Sequence, residues 1–185
     1  MSLNEYKRLD LTLMLVLAFV AEIMGQYLHI KLPGAGFYLS FSMMITIIAM
    51  LRWGVVGGIV SISTVVATLI FTPELRVSIV VIHLLSYSSV MLIPIIFRKR
   101  SVYEIVSTTW RFMLYIVTTF GIVMVVYSIV ASLMGYPFLE ILVLIFSRQL
   151  FSLLMSYIVL LIIRHQKELL VDMTIYFNED KETKK

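Results

Sequence analysis

The chain has 185 residues, of which 61% are hydrophobic and only 14% charged. Soluble domains carry about 45–50% apolar and about 25% charged residues, so a water-facing globule is excluded and a single-domain integral membrane protein is expected. The absence of cysteine rules out disulfides, thiolate zinc sites and a Cys nucleophile. The net charge of +4 does not call for nucleic acid, because the basic residues cluster at the ends of apolar segments.

A spanning helix needs about 20 mostly apolar residues. The sequence predicts six such segments: Leu11 to Leu28, a short one from Phe37 to Leu51, Gly54 to Phe71, Val77 to Phe97, Phe112 to Leu133 and Leu139 to Ile163. No small-residue cleavage site follows the first segment, so a cleaved leader is not expected. Pro33-Gly34-Ala35-Gly36, Thr72-Pro73 and Gly135-Tyr136-Pro137 are breaker clusters that separate helices. Pro94 lies near the end of the fourth segment, where neighbouring helices or water can satisfy the freed carbonyl. The expected organisation is an all-α bundle of six transmembrane helices over residues 1–165, followed by a polar tail over 166–185.

Lys7, Arg8, Arg52, Arg98, Lys99, Arg100, Arg111, Arg164 and Lys167 fall on one side of a six-helix path, and only Lys31 and Arg76 on the other. The positive-inside rule then places both termini in the cytoplasm. There is no P-loop, no HExxH and no dinucleotide fingerprint. ATP hydrolysis by a Walker motif is therefore outside this chain's chemistry, and no catalytic pair stands in a recognisable motif.

Two ions sit where hydrocarbon would be, Glu22 and Arg148, and intramembrane ions face a bundle interior, a partner charge or a ligand. Arg148 lies roughly 13 Å into the last helix at 1.5 Å per residue, near the midplane. Ser152 shares its face and Gln149 adjoins it. Arg148 either binds an anionic ligand or pairs with Glu22. Glu22, with Gln26 one turn on, either makes that pair, caps a loop or meets a ligand amine. On the fourth helix His83 and Tyr87 share a face, and Tyr127 adds a hydroxyl on the fifth. Each is either a ligand contact or a hydrogen-bonding residue of the bundle. His83 has no second ligand at metal spacing, so no metal site is expected. Ala18, Ala21 and Gly25 form a small-residue stripe on the first helix that lets another helix approach, inside the bundle or from a partner.

The chain resembles the substrate-binding S components of energy-coupling factor vitamin transporters. The resemblance rests on Ala21-x-x-x-Gly25, on the run Leu32-Pro33-Gly34-Ala35-Gly36 into Phe37-Tyr38-Leu39-Ser40, and on Ala49-Met50-Leu51-Arg52-Trp53-Gly54-Val55-Val56-Gly57-Gly58. It covers about residues 9–165, and Met14 and Glu22 interrupt the small-residue stripe. It implies a non-enzymatic, cofactor-free subunit in a bacterial or archaeal cell membrane that captures a vitamin or its precursor from outside. It further implies docking through Ala18, Ala21 and Gly25 to a transmembrane coupling protein powered by two ATPases. The ligand pocket would draw on Arg148, Gln149, Ser152, His83, Tyr87, Tyr127, Glu22 and Gln26, with the first external loop, Leu32 to Ser40, over it. The alternative is a six-helix cell-shape scaffold of the MreD type, which needs no small-molecule pocket.

Overall fold

The computed structural model describes residues 2–31, 38–166 and 169–176. The loop over 32–37 and the end of the tail over 177–185, both named above, lie outside the described residues. The described chain is helical, in the order α1 (Leu3–Lys31), α2 (Ser42–Trp53), α3 (Val60–Ile70), α4 (Val77–Ser88), α5 (Ile93–Ile96), α6 (Val102–Ser107), α7 (Thr109–Leu133) and α8 (Phe138–Ile163).

Five stretches are long and apolar enough to cross a membrane: Leu3–Lys31, Ser42–Ile70, Val77–Ile96, Thr109–Leu133 and Phe138–Ile163. This is the architecture of a multi-pass membrane protein. The sequence predicts six, and the difference lies in Ser42–Ile70, which holds the second and third predicted helices. The backbone is not one straight helix there. Gly54 ends α2 with φ +60°, a left-handed conformation that a side chain disfavours. A 3-10 turn follows over Gly54–Ile59, and a Cβ placed on Gly57 would overlap the carbonyl of Ala49. Residues eight apart in a continuous helix are about 12 Å apart, so the chain doubles back at this point. α2 alone has 12 residues, about 18 Å, against a hydrocarbon core of about 30 Å.

The close approach at Gly57 makes an expected result. Gly57→Ala should destabilise the purified protein by about 1–3 kcal/mol, the usual cost of overpacking. Gly121→Ala, where a Cβ meets nothing within 4 Å, should be neutral or mildly stabilising. Thermal unfolding in detergent compares the two. Equal losses would show that Gly57 is not a contact point.

α1 packs along α2 and α3, α3 meets α4, α4 meets α7, and α7 meets α8. The main core gathers Ile47, Met50, Ile93, Phe112, Tyr115 and Phe120. α8 buries little beyond Ser152, Ser156 and Leu160, a stripe of period four that also carries Arg148. The exposed Leu, Val and Ile side chains of the long helices are those a bilayer would cover.

Arg52 organises one end of the bundle. It pairs with Asp10 at 2.9 Å, donates to the Tyr6 hydroxyl at 3.0 Å and to the Leu169 carbonyl at 3.2 Å. Trp53 Nε1 donates to the same Asp10 carboxylate at 2.6 Å. Consecutive Arg and Trp thus tie the end of α2 to the start of α1 and to the chain after α8. Within the tail that reads as polar from sequence, Leu170 and Met173 are buried, and Leu170 joins the main core.

Candidate ligand-binding site

Between α2 and the end of α1 the chain returns into the bundle as non-helical backbone over residues 38–41. Non-helical backbone at membrane depth must find partners inside the protein. Ser152 of α8 supplies them: it accepts from the Ser40 N–H at 3.0 Å and donates to the Tyr38 carbonyl at 2.8 Å. Ser40 Oγ accepts from the Ser42 N–H at 3.2 Å. Ser152, a predicted ligand contact, is therefore placed as the clamp on this segment.

The clamped segment closes over Glu22, which is 1% exposed. Five donors converge on its carboxylate. Oε1 accepts from Gln26 Nε2 at 2.9 Å, from Thr68 Oγ1 at 2.9 Å and from the Tyr38 hydroxyl. Oε2 accepts from Ser40 Oγ and Ser42 Oγ, both at 2.7 Å. Two carboxylate oxygens offer about four lone-pair sites, so Glu22 has no capacity left for a ligand amine.

Arg148 stands on the other side of Gln26 and Tyr38. Its guanidinium carbon lies 4.8 Å from the centroid of the Tyr38 ring, a cation–π contact that orients its plane. One nitrogen reaches Gln26 Oε1 at a long 3.4 Å. Among the described residues no ion pair joins Arg148 to Glu22. Of the two sequence alternatives, a direct Arg148–Glu22 bridge is thus not what the structure contains. The charges communicate through Gln26, which donates to one and accepts from the other, and through Tyr38. A guanidinium has five N–H donors, and most of those on Arg148 remain uncommitted.

Those donors border a cavity of about 460 Å³, within the usual range for small-molecule sites. α8 contributes Arg148 and Gln149, and α1 contributes Glu22 and Gln26. α4 contributes His83 and Tyr87, whose rings lie 6.3 Å apart and nearly parallel. Tyr127 of α7 meets His83 edge to face at 5.3 Å. The His83 Nδ1 is buried and makes no hydrogen bond. The cavity is thus cationic and donor-rich at Arg148 and aromatic at His83, Tyr87 and Tyr127.

The structure brings together seven of the eight predicted ligand residues around this cavity, Ser152 being set just behind it. It adds Ser42 and Thr68, which sequence reasoning did not assign to the site, and makes Tyr38 and Ser40, from the loop that the resemblance sets over the pocket, partners of Glu22. Their signal was present as isolated hydroxyls in apolar runs, but short runs give no indication of which hydroxyl turns inward. The stripe predicted for docking lies largely inside the chain. Ala18 is fully buried against Ala49 and Val60, and Gly25 is buried where a Cβ would come 2.6 Å from the Leu39 carbonyl oxygen. Ala21 is half-buried. The small residues let α1 approach α2, α3 and the clamped segment.

Comparison with protein-family models, with curated proteins and with solved structures finds no match for this chain.

Proposed function

We propose that this chain is the membrane-embedded capture subunit of an energy-coupling factor importer, and that it binds a small vitamin-like molecule through an anionic group, a carboxylate. The observation that carries this reading is the unequal commitment of the two intramembrane charges. Glu22 is saturated by five donors, whereas Arg148 presents spare donors to a cavity. A half-buried guanidinium left in that state within a membrane span is costly, and its planar fork suits a carboxylate in two-point contact. The aromatic walls of His83, Tyr87 and Tyr127 would hold the apolar body of the ligand. A purely structural scaffold has no use for such an arrangement.

In this reading the chain is non-enzymatic, and a coupling protein with two ATPases drives release. The reversal at Gly54 supports counting α2 and α3 as two legs of a six-helix path. Both termini are then on the cytoplasmic face, in a bacterial or archaeal cell membrane. Cysteines placed at Ser2 and at Gly135 should label from opposite sides with an impermeant reagent, the latter from outside. Labelling of both from one side would remove the six-leg path. The functional reading itself is tested by affinity capture of the tagged chain from its native membrane. Recovery of a transmembrane coupling protein with ATPases is expected; recovery of cell-wall assembly proteins instead would replace capture by a scaffold role.

A further inference from the structure

The end of the bundle that carries Arg52 has a second recess, of about 360 Å³, that the ligand site does not use. Its rim is three consecutive basic residues, Arg98, Lys99 and Arg100, at the end of the apolar stretch Val77–Ile96. All three are exposed, and none has an ion pair among the described residues. Its floor is apolar, formed by Leu51, Phe97, Ile105 and Tyr115. Asp172 also borders it, but that carboxylate accepts from the Thr174 N–H at 2.9 Å and from the Thr174 hydroxyl. The nearby Arg111 faces Glu104 at 4.0 Å. The lining therefore keeps a formal excess of two positive charges, three basic residues against one acidic.

The surroundings place this recess at the level of lipid headgroups. α6 joins two apolar stretches with Tyr103 80% exposed, and Trp110 at the start of α7 is 65% exposed. Exposed Tyr and Trp at the ends of apolar helices mark the membrane–water interface. A cationic rim over an apolar floor at that level matches an amphiphile with an anionic head. Basic pockets at helix ends recognise such lipids.

From this juxtaposition we infer that the recess between the end of α5 and α6 binds an anionic phospholipid. The phosphate meets Arg98, Lys99 and Arg100, and the start of an acyl chain lies against Phe97 and Ile105. The inference is independent of the transport reading, since it needs only that this end of the bundle lies at a membrane surface.

The full chain, stripped of lipid in detergent, is titrated with phosphatidylglycerol and separately with phosphatidylcholine, and bound lipid is counted by native mass spectrometry. Phosphatidylglycerol should bind about tenfold or more tightly than phosphatidylcholine. Arg98→Gln with Arg100→Gln should remove most of that preference, and Arg98→Lys with Arg100→Lys should retain it. Lys7→Gln with Arg8→Gln, an equal loss of charge elsewhere, should change it by no more than about twofold. Millimolar inorganic phosphate should not displace the lipid. Equal affinity for the two lipids, equal effects of the two charge-removing pairs, or displacement by inorganic phosphate would each overturn the assignment.

Discussion

Replacing Arg148 with Met should nearly abolish ligand binding while leaving a folded protein. Truncating one partner of a buried charged contact costs about 2–5 kcal/mol, a loss of about thirty-fold to several thousand-fold in affinity. Folding should survive because Arg148 holds little of the structure together: a long contact to Gln26 and the face of Tyr38. Arg148→Lys keeps the charge but not the fork, and should weaken binding by at least about tenfold. Isothermal titration with the ligand released from the wild type reads all three proteins. The double change Arg148→Met with Glu22→Gln should bind no better than Arg148→Met alone. Normal affinity in the double variant would mean that Arg148 serves only to balance Glu22, and the anionic-ligand reading would fall.

Glu22→Ala should be the most destabilising single change in the membrane core. It removes the acceptor of five donors from α1, α3 and the 38–42 segment at once. Stripping one member from a buried charged network costs about 3–5 kcal/mol. Some hydroxyls can turn elsewhere, as Ser40 already contacts Ser42 at 2.9 Å, but Tyr38 and Gln26 would be left beside an empty volume. Glu22→Gln retains an acceptor for three donors and offers an N–H₂ group that Ser40 and Ser42 can accept from, so about 1 kcal/mol should be lost. Thermal unfolding in detergent should rank the proteins wild type, Glu22→Gln, Glu22→Ala. A Glu22→Ala protein as stable as the wild type would show that the carboxylate does not hold the 38–42 segment in place.

The helical membrane architecture was legible because apolar runs of about 20 residues admit almost no other structure. The two ions were legible as site residues for the same reason: charge in hydrocarbon has to be explained. Their partners were not. Glu22 and Arg148 are 126 positions apart, and sequence leaves Glu22 either bridging Arg148 or capping a loop; the structure has it hold the 38–42 segment, with Gln26 and Tyr38 between the two charges. The 38–41 backbone looks in sequence like the entry to an apolar helix from Phe37. It stays non-helical because the hydroxyls of Ser40 and Ser42 are drawn to Glu22 and the backbone to Ser152. The small residues Ala18 and Gly25 signal close approach correctly in kind, but spacing alone does not say whether the approaching backbone is the chain's own. Asp10 and the Arg52–Trp53 pair sit at a helix end, where sequence attributes a basic residue to orientation and leaves its hydrogen bonds unassigned.

The central claim, capture of a small anion by Arg148, is tested most directly by identifying what the purified protein carries. Wild-type and Arg148→Met proteins are purified from the same cells, denatured, and the small molecules released are measured by mass spectrometry. The wild type should release a compact organic acid in near-stoichiometric amount, with Arg148→Met carrying little or none. A neutral or cationic molecule retained equally by both proteins would contradict the account.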